Sequence, residues 1–279
     1  MPKKLHAAAD GLIKKLRKDL DHLIEEASNG ELSSRDRQSI AIEIEKAAAT
    51  LTELAAELDL FERPASIFDP GNPRTIAFFI ALALTSQDRE KLSGVRDVHG
   101  AGVYAIYYKG DFPLYAKISC TETPIYIGQA APMSERARTP NEQGPRLSGR
   151  LNEHKRSIEK ASATLKISDF EYRALVVQSG WETGAENYLI KLFKPIWNKE
   201  TRLVYGIGKH GDSSQTRRNK ISPWDTLHKG RAWTGEDELE AKKSVEKIKA
   251  ELEDHFEKTK IYQDLSDILS SFVSELKQL

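Results

Sequence analysis

Hydrophobic positions near the start of the chain recur at steps of three and four residues. The first line consists of Leu12, Leu16, Leu20 and Leu23 and predicts a helix over residues 5–28. A second line, from Ile40 to Leu58, predicts a helix that begins after Ser33 or Ser34. The polar turn between them favours a helical hairpin. Each apolar stripe then needs a partner, either within the molecule or from a second copy.

The middle of the chain has a different residue pattern, in which short runs of β-branched and aromatic residues alternate with helical patterns. Strands are predicted over residues 102–108, 124–128 and 170–178, and helices over residues 146–161 and 182–193. A run that is apolar on all sides, Thr75–Thr85, predicts a buried helix. The order strand, strand, helix, strand, helix indicates a small α/β (α+β) domain with a three-stranded sheet flanked by helices.

Prolines and glycines between residues 61 and 73 indicate a domain boundary. We therefore predict an N-terminal helical hairpin over 1–60, a central domain over 61–235 and a C-terminal helical tail over 236–279. Within the central domain, the segment 204–232 is rich in glycine and basic residues and has no clear period, which is typical of a functional loop.

Composition excludes several classes of protein for this chain of 279 residues. The single cysteine, Cys120, excludes a disulfide framework and a multi-cysteine zinc site. The longest apolar run, Ile76 to Leu84, has nine residues, whereas a membrane-spanning helix needs about 20. A charged start without the apolar core of a signal peptide leads us to expect a cytoplasmic protein.

The formal net charge is zero, but the charges are segregated along the chain. Residues 96–235 carry 22 lysines and arginines against 14 acidic residues, a net of +8. Residues 1–60 are net −3 and residues 236–279 are net −5. A basic middle segment between acidic ends is typical of a protein that binds a polyanion through its central domain.

Candidate chemistry begins with two short motifs that place a tyrosine near a glycine on a predicted strand, Gly102-Val103-Tyr104 and Tyr126-Ile127-Gly128. Further along, Arg150 and His154 are four residues apart and share one helix face. Each feature alone has an ordinary structural explanation, such as a core tyrosine or a solvated helix face.

Two later features also have ordinary explanations. Thr183 with Glu186 has the spacing of a capping box, which needs no active site. Asn198, after the Pro195 helix stop, is a common turn residue.

Taken in order, these motifs resemble the GIY-YIG nuclease superfamily, with Val103 in place of the usual isoleucine. Within it, the segment 61–235 is most similar to type II restriction endonucleases of SacII-like specificity, which cut a GC-rich palindrome. That similarity includes Ile67-Phe68-Asp69-Pro70 and the string Trp224-Asp225-Thr226-Leu227-His228-Lys229-Gly230-Arg231. The hairpin and the tail lie outside it.

The resemblance implies a site-specific, Mg²⁺-dependent deoxyribonuclease that hydrolyses phosphodiester bonds in double-stranded DNA. The catalytic residues it implies are Tyr104, Tyr126, Arg150, His154, Glu186 and Asn198. Glu186 would hold the metal ion and Arg150 would contact the scissile phosphate. Either Tyr104 or His154 would act as the general base, Tyr126 would orient water or phosphate, and Asn198 would hold the site together through its amide.

DNA contacts are expected from two basic loops. The candidates are Arg136, Arg138, Arg146, Lys209, His210, Arg217, Arg218, Lys220 and Arg231. For any one of them a phosphate contact is favoured, and for the set we expect at least two base contacts. Trp224 is expected to pack beneath the second loop.

The expected assembly and cellular context follow from a palindromic target. Such a site implies a homodimer or homotetramer and a cognate DNA methyltransferase. Two alternatives remain at this point. The first is another GIY-YIG nuclease, of the homing or repair type. The second is a non-catalytic DNA-binding protein on a degenerate nuclease fold.

Overall fold

The computed structural model describes residues 2–29, 33–59, 61, 69–208, 221–231 and 240–276. By its internal contacts the chain divides into two units, Met1–Ile67 and Phe68–Leu279, and each is described by itself. The boundaries predicted above are not tested by this division and stay predictions. Within the described ranges, no helix is both long enough and apolar enough to cross a lipid bilayer.

The first unit contains the two predicted helices, α1 (Pro2–Asn29) and α2 (Ser34–Glu57). Helix α2 begins at an N-cap, where the hydroxyl oxygen of Ser33 accepts a hydrogen bond from the backbone N–H of Asp36. Most of the apolar residues of the two predicted stripes, such as Leu12 and Leu54, remain exposed.

The second unit is built on a four-stranded antiparallel sheet of β1 (Glu90–Lys91), β2 (Gly102–Tyr108), β3 (Tyr126–Ala130) and β4 (Phe170–Val176). The strands lie in the order β1-β4-β2-β3. The mixed fold class and the three predicted strands are confirmed. The count of three was wrong, because β1 has two residues and is too short to show an alternating pattern.

Seven helices follow in the described part of this unit. They are α3 (Pro73–Thr85), α4 (Pro140–Gln143), α5 (Arg146–Lys160), α6 (Glu182–Phe193), α7 (Pro223–Leu227), α8 (Val245–Lys258) and α9 (Leu265–Leu276). Two of them, α4 and α7, lie in segments for which only loops were predicted.

The described part of the predicted helical tail contains two helices, α8 and α9. Between α8 and α9, the backbone N–H of Tyr262 donates to the hydroxyl of Thr123, and its carbonyl accepts from the N–H of Glu122. Tyr262 is buried at this point. Helix α8 does not continue into α9 because the residues between them form hydrogen bonds with the core. The helical period of the sequence could not show these bonds.

Strand β2 is central, and all seven of its residues are buried. On one face Tyr104, Ile106 and Tyr108 pack in a core with residues of α5. On the other face Val103, Ala105 and Tyr107 pack in a core with residues of α3 and α6. The alternation along β2 therefore directs the side chain of Tyr104 towards α5.

Candidate active site

The two strand tyrosines come together across the pairing of β2 and β3. Tyr104 lies opposite Gly128, and the ring centroids of Tyr104 and Tyr126 are 6.1 Å apart. A Cβ atom on Gly128 would lie 2.5 Å from Oη of Tyr104. The second motif therefore needs its glycine, because a side chain at that position would collide with the Tyr104 ring.

Helix α5 brings a histidine to these tyrosines. His154 lies on the face that also carries Leu147, Leu151 and Ile158, and it is 1% exposed, so the alternative of a solvated chance histidine is wrong. Its Nε2 atom is 2.8 Å from Oη of Tyr104. Its ring centroid is 4.6 Å from that of Tyr126. The imidazole thus contacts both tyrosines of the two motifs.

Arg150 lies one turn before His154, is half-buried and forms an ion pair with Glu153. Burial raises the pKa of Tyr104 well above its ordinary value and raises the pKa of Tyr126 to about 12. The positive charge of Arg150 opposes both shifts without cancelling them. Both tyrosines are therefore neutral phenols near pH 7, beside a fixed cation.

Glu186 lies in the first half of α6. The capping box considered for Thr183 and Glu186 does not form, because the helix begins at Glu182 after Trp181 as N-cap, with no side-chain capping bond. The hydroxyl of Thr183 instead accepts a hydrogen bond of 3.1 Å from the side-chain amide of Gln129 on β3. This contact joins the start of α6 to the strand that carries Tyr126.

The carboxyl group of Glu186 has an unusual environment. Burial raises its pKa to about 7, and the nearby negative charge of Glu200 adds to this increase. Hydrogen bonds from Gln129 and the charge of Arg150 act in the opposite direction. The carboxyl group therefore lies among the charges of the same site as the tyrosines, and a bound cation would favour its ionised form.

Glu186 offers the kind of ligand that magnesium takes. Among the described residues there is no group of three or more histidine, cysteine, aspartate and glutamate side chains that could hold a metal ion. Magnesium keeps several water ligands and is bound through one or two carboxylates together with phosphate oxygens. Glu186 alone satisfies that requirement, so the residues present fit the expected Mg²⁺.

Asn198 is buried and acts on the backbone of β3. Its Nδ2 donates to the carbonyl oxygen of Ile127 at 2.8 Å, and its Oδ1 accepts from the N–H of Ile127 at 2.9 Å. Strand β3 is at the edge of the sheet, and the amide of Asn198 pairs with the outward backbone groups as a further strand would. It therefore fixes the position of the residue between Tyr126 and Gly128.

The predicted DNA-contacting residues fall into three groups. Arg136, Arg138 and Arg146 are exposed, in the loop before α5 and at its first turn. The predictions for Lys209, His210, Arg217, Arg218 and Lys220 lie outside the described residues. Arg231 has a different environment from the one expected of a DNA contact, because it is 7% exposed and forms an ion pair with Asp225. Trp224 is buried, as expected.

Three residues near the site carried no recognised signal in the sequence. Gln129 directly follows the second motif, and that position was the one available clue. Glu200 lies two residues after Asn198, in a turn where a carboxylate is unremarkable. A Cβ atom on Gly208 would lie 3.8 Å from Nη2 of Arg150, and no sequence period relates these two positions.

The chain matches a known protein family over more than half of its length. Residues 96–256 match the family described as Eco29kI GIY-YIG domain. The matched range includes the two tyrosine motifs, α5, α6 and Asn198. No curated protein matches the chain.

Proposed function

Because the chain belongs to the Eco29kI GIY-YIG domain family, a family of nucleases that act on DNA, we propose that it is a type II restriction endonuclease. In this proposal it hydrolyses phosphodiester bonds at a GC-rich palindromic site in double-stranded DNA, in the presence of Mg²⁺. The observation that most strongly supports this proposal is the buried hydrogen bond between Tyr104 and His154, which lies beside Arg150.

Each side chain has a role in this proposal that its surroundings support. Hydrolysis requires a water molecule to lose a proton as it attacks phosphorus. Because burial favours the neutral form of Tyr104, the phenol relays the proton. It accepts the proton of the attacking water while its own proton passes to Nε2 of His154. Tyr126, at the same site, orients the water.

The charge that develops on the phosphate needs positive groups around it. The planar guanidinium of Arg150 suits two phosphate oxygens, and its partial burial strengthens that contact. Glu186 would hold the magnesium ion, which when bound supplies further positive charge at the phosphate and the leaving oxygen. Asn198 acts indirectly, because its amide fixes the backbone of β3.

The specificity and the assembly are also proposed. The similarity to enzymes of SacII-like specificity supports a target such as CCGCGG. A two-fold symmetric target requires two copies of the site, which supports a homodimer or homotetramer. A cell that contains such an enzyme needs a methyltransferase that protects the same sequence.

The test is to incubate the purified protein with unmethylated phage DNA, with Mg²⁺ or with EDTA, and to sequence the fragment ends. Discrete fragments that form only with Mg²⁺ and share one palindrome at their ends are expected. A smear would indicate a nuclease of loose specificity, such as a repair enzyme. Intact DNA that shifts on a gel would contradict the proposal and support a binding protein.

A further inference from the structure

Arg231 and Asp225 form a buried ion pair whose purpose the proposed chemistry does not explain. Two hydrogen bonds join them, from Nε of Arg231 to Oδ1 at 2.6 Å and from Nη2 to Oδ2 at 2.7 Å. Asp225 is 1% exposed, and the guanidinium lies 4.7 Å from the ring centroid of Trp224. A buried pair of this kind is weak support for stability, because desolvation offsets much of the attraction.

The same guanidinium also reaches a second segment. Its Nη2 donates to the carbonyl oxygen of Gly206 at 3.0 Å, and its Nη1 donates to that of Ile207 at 3.1 Å. The preceding carbonyl, that of Tyr205, accepts from the backbone N–H of Trp224 at 3.2 Å. Three successive carbonyl groups are therefore held, one by Trp224 of α7 and two by Arg231, which lies beyond the end of that helix.

The backbone at Gly206 is adapted to this arrangement. It has a φ of +126°, and a Cβ atom there would lie 2.2 Å from Oγ of Ser222. Ser222 is the N-cap of α7 and donates its hydroxyl to Asp225. No other residue type fits at position 206 without moving the helix that carries Asp225.

The segment held in this way reaches the candidate active site at Gly208. A Cβ atom on Gly208 would lie 3.8 Å from Nη2 of Arg150, 3.8 Å from Cε1 of His154 and 3.9 Å from Oη of Tyr126. One point in space is thus at contact distance from three of the side chains assigned to the phosphate and the water. Because position 208 is a glycine, no atom of the described residues other than Gly208 and its chain neighbours lies nearer than 3.8 Å to that point.

We propose that residues 206–208 form a wall of the catalytic site, against which the scissile phosphate is placed. Arg231 is then a positioning residue that sets this wall, and Gly208 must lack a side chain because a phosphate oxygen or the attacking water occupies the open point. This inference rests on the proposed nuclease function. It also replaces the DNA contact that the sequence predicted for Arg231.

The principal test is Gly208→Ala, because an alanine can be accommodated there. The backbone of Gly208 is not in the left-handed region, and the added carbon would make only ordinary van der Waals contacts. The matched control is Gly94→Ala, where nothing lies within 4 Å of the added carbon. Single-turnover cleavage, DNA affinity in EDTA and the thermal midpoint are measured for the wild type and both variants.

Gly208→Ala is expected to lower the single-turnover rate by about 100-fold, the usual effect of a displacement of about 1 Å in a reacting geometry. Its thermal midpoint and its DNA affinity stay at the wild-type values, as does every property of Gly94→Ala. A wild-type cleavage rate in Gly208→Ala would overturn the inference while leaving the nuclease proposal intact. A wild-type protein that cuts no DNA would overturn both.

A second variant, Arg231→Lys, separates positioning from stability. Lysine keeps the charge but lacks the planar fork that reaches Asp225 and the two carbonyl groups together. Its folded fraction is expected to bind DNA normally and to cleave at least about 10-fold more slowly, a loss in kcat rather than in KM. A variant with a lowered thermal midpoint but wild-type cleavage below that midpoint would show a structural role only. If Arg231→Lys does not fold, the cleavage rate of Gly208→Ala still tests the inference.

Discussion

The hydroxyl oxygen of Tyr104 lies 2.8 Å from Nε2 of His154, and both side chains are almost fully buried between β2 and α5. In sequence they are separated by 50 residues. The contact depends on the alternation of β2, which turns Tyr104 towards α5, and on the apolar face of α5, which turns His154 inwards. It joins the first tyrosine motif to the helix that carries Arg150.

The substitution Tyr104→Phe removes this hydrogen bond while it keeps the ring. Loss of a proton relay is expected to lower the cleavage rate by about 100-fold or more, with DNA affinity unchanged. The measurement is single-turnover cleavage with saturating enzyme. The matched control is Tyr108→Phe, on the same strand face but bonded through its hydroxyl to the backbone of Phe112. Equal rates for both variants would exclude Tyr104 from the chemistry.

Asn198→Ala removes two hydrogen bonds from the edge of the sheet. The N–H and carbonyl groups of Ile127 lose their side-chain partner, which is expected to lower the free energy of unfolding by about 2–4 kcal/mol. Cleavage by the folded protein also falls, because Tyr126 and Gly128 flank that residue. Urea denaturation measures the first effect. Asn187→Ala, at an exposed position of α6, serves as the control and is expected to be neutral.

Asn198→Asp refines this test. One carboxylate oxygen still accepts the hydrogen bond from the N–H of Ile127, but the other faces a carbonyl oxygen and has no proton to donate. We expect the aspartate variant to be unstable at neutral pH and to regain stability as the pH falls and the carboxyl group is protonated. The opposite trend would contradict the edge-pairing role of Asn198.

The burial of His228 predicts that the protein loses stability as the pH falls. It is fully buried, with Nε2 2.6 Å from Oη of Tyr115 and Nδ1 2.8 Å from Oγ1 of Thr164. Burial lowers its pKa from 6.5 to about 3. Between these values the unfolded chain binds a proton that the folded chain does not, so stability is complete above pH 6.5 and declines as the pH falls. The slope is up to about 1.4 kcal/mol per pH unit.

The measurement is the free energy of unfolding from pH 7 to pH 4 for the wild type and His228→Gln. Glutamine can bond to the same neighbours and does not titrate, so the variant is expected to show a shallower decline over this range. Parallel curves for the two proteins would show that His228 does not contribute to the acid sensitivity.

The exposed arginines before α5 lead us to expect that DNA affinity falls as the salt concentration rises. If Arg138 contacts a phosphate, Arg138→Gln is expected to make the slope of log affinity against log salt shallower by about 0.9. The loss should be similar on specific and unrelated duplexes. Arg35→Gln, in the acidic N-terminal segment, is the control and should leave the slope unchanged. A change confined to the specific duplex would instead assign Arg138 to base recognition.

The elements that form the site were largely predictable, because each has a local signal. Strands β2 and β4 and helices α5 and α6 lie within two residues of their predicted limits, since alternation and helical periods depend on near neighbours in sequence. Tyr104 lies on β2, and Arg150 and His154 lie on α5, so their convergence followed from the fold.

What the sequence did not show depends on contacts between distant segments. The partner of Asn198 is a backbone group at the sheet edge, which has no sequence signature. Thr183 bonds to Gln129 instead of capping its own helix, because β3 lies beside it. Arg231 was predicted to contact DNA because a basic loop has that composition, yet an acidic partner at Asp225 and two carbonyl groups hold it inside.

Glu186→Gln tests the central proposal most directly, because glutamine preserves the shape of the side chain but is a poor ligand for Mg²⁺. Cleavage of plasmid DNA in Mg²⁺ and a gel shift in EDTA are measured for the wild type, for Glu186→Gln and for Glu253→Gln, an exposed control on α8. The account predicts that Glu186→Gln loses cleavage by at least about 100-fold and still binds DNA, while the control behaves as the wild type. Cleavage by Glu186→Gln at the wild-type rate would contradict it.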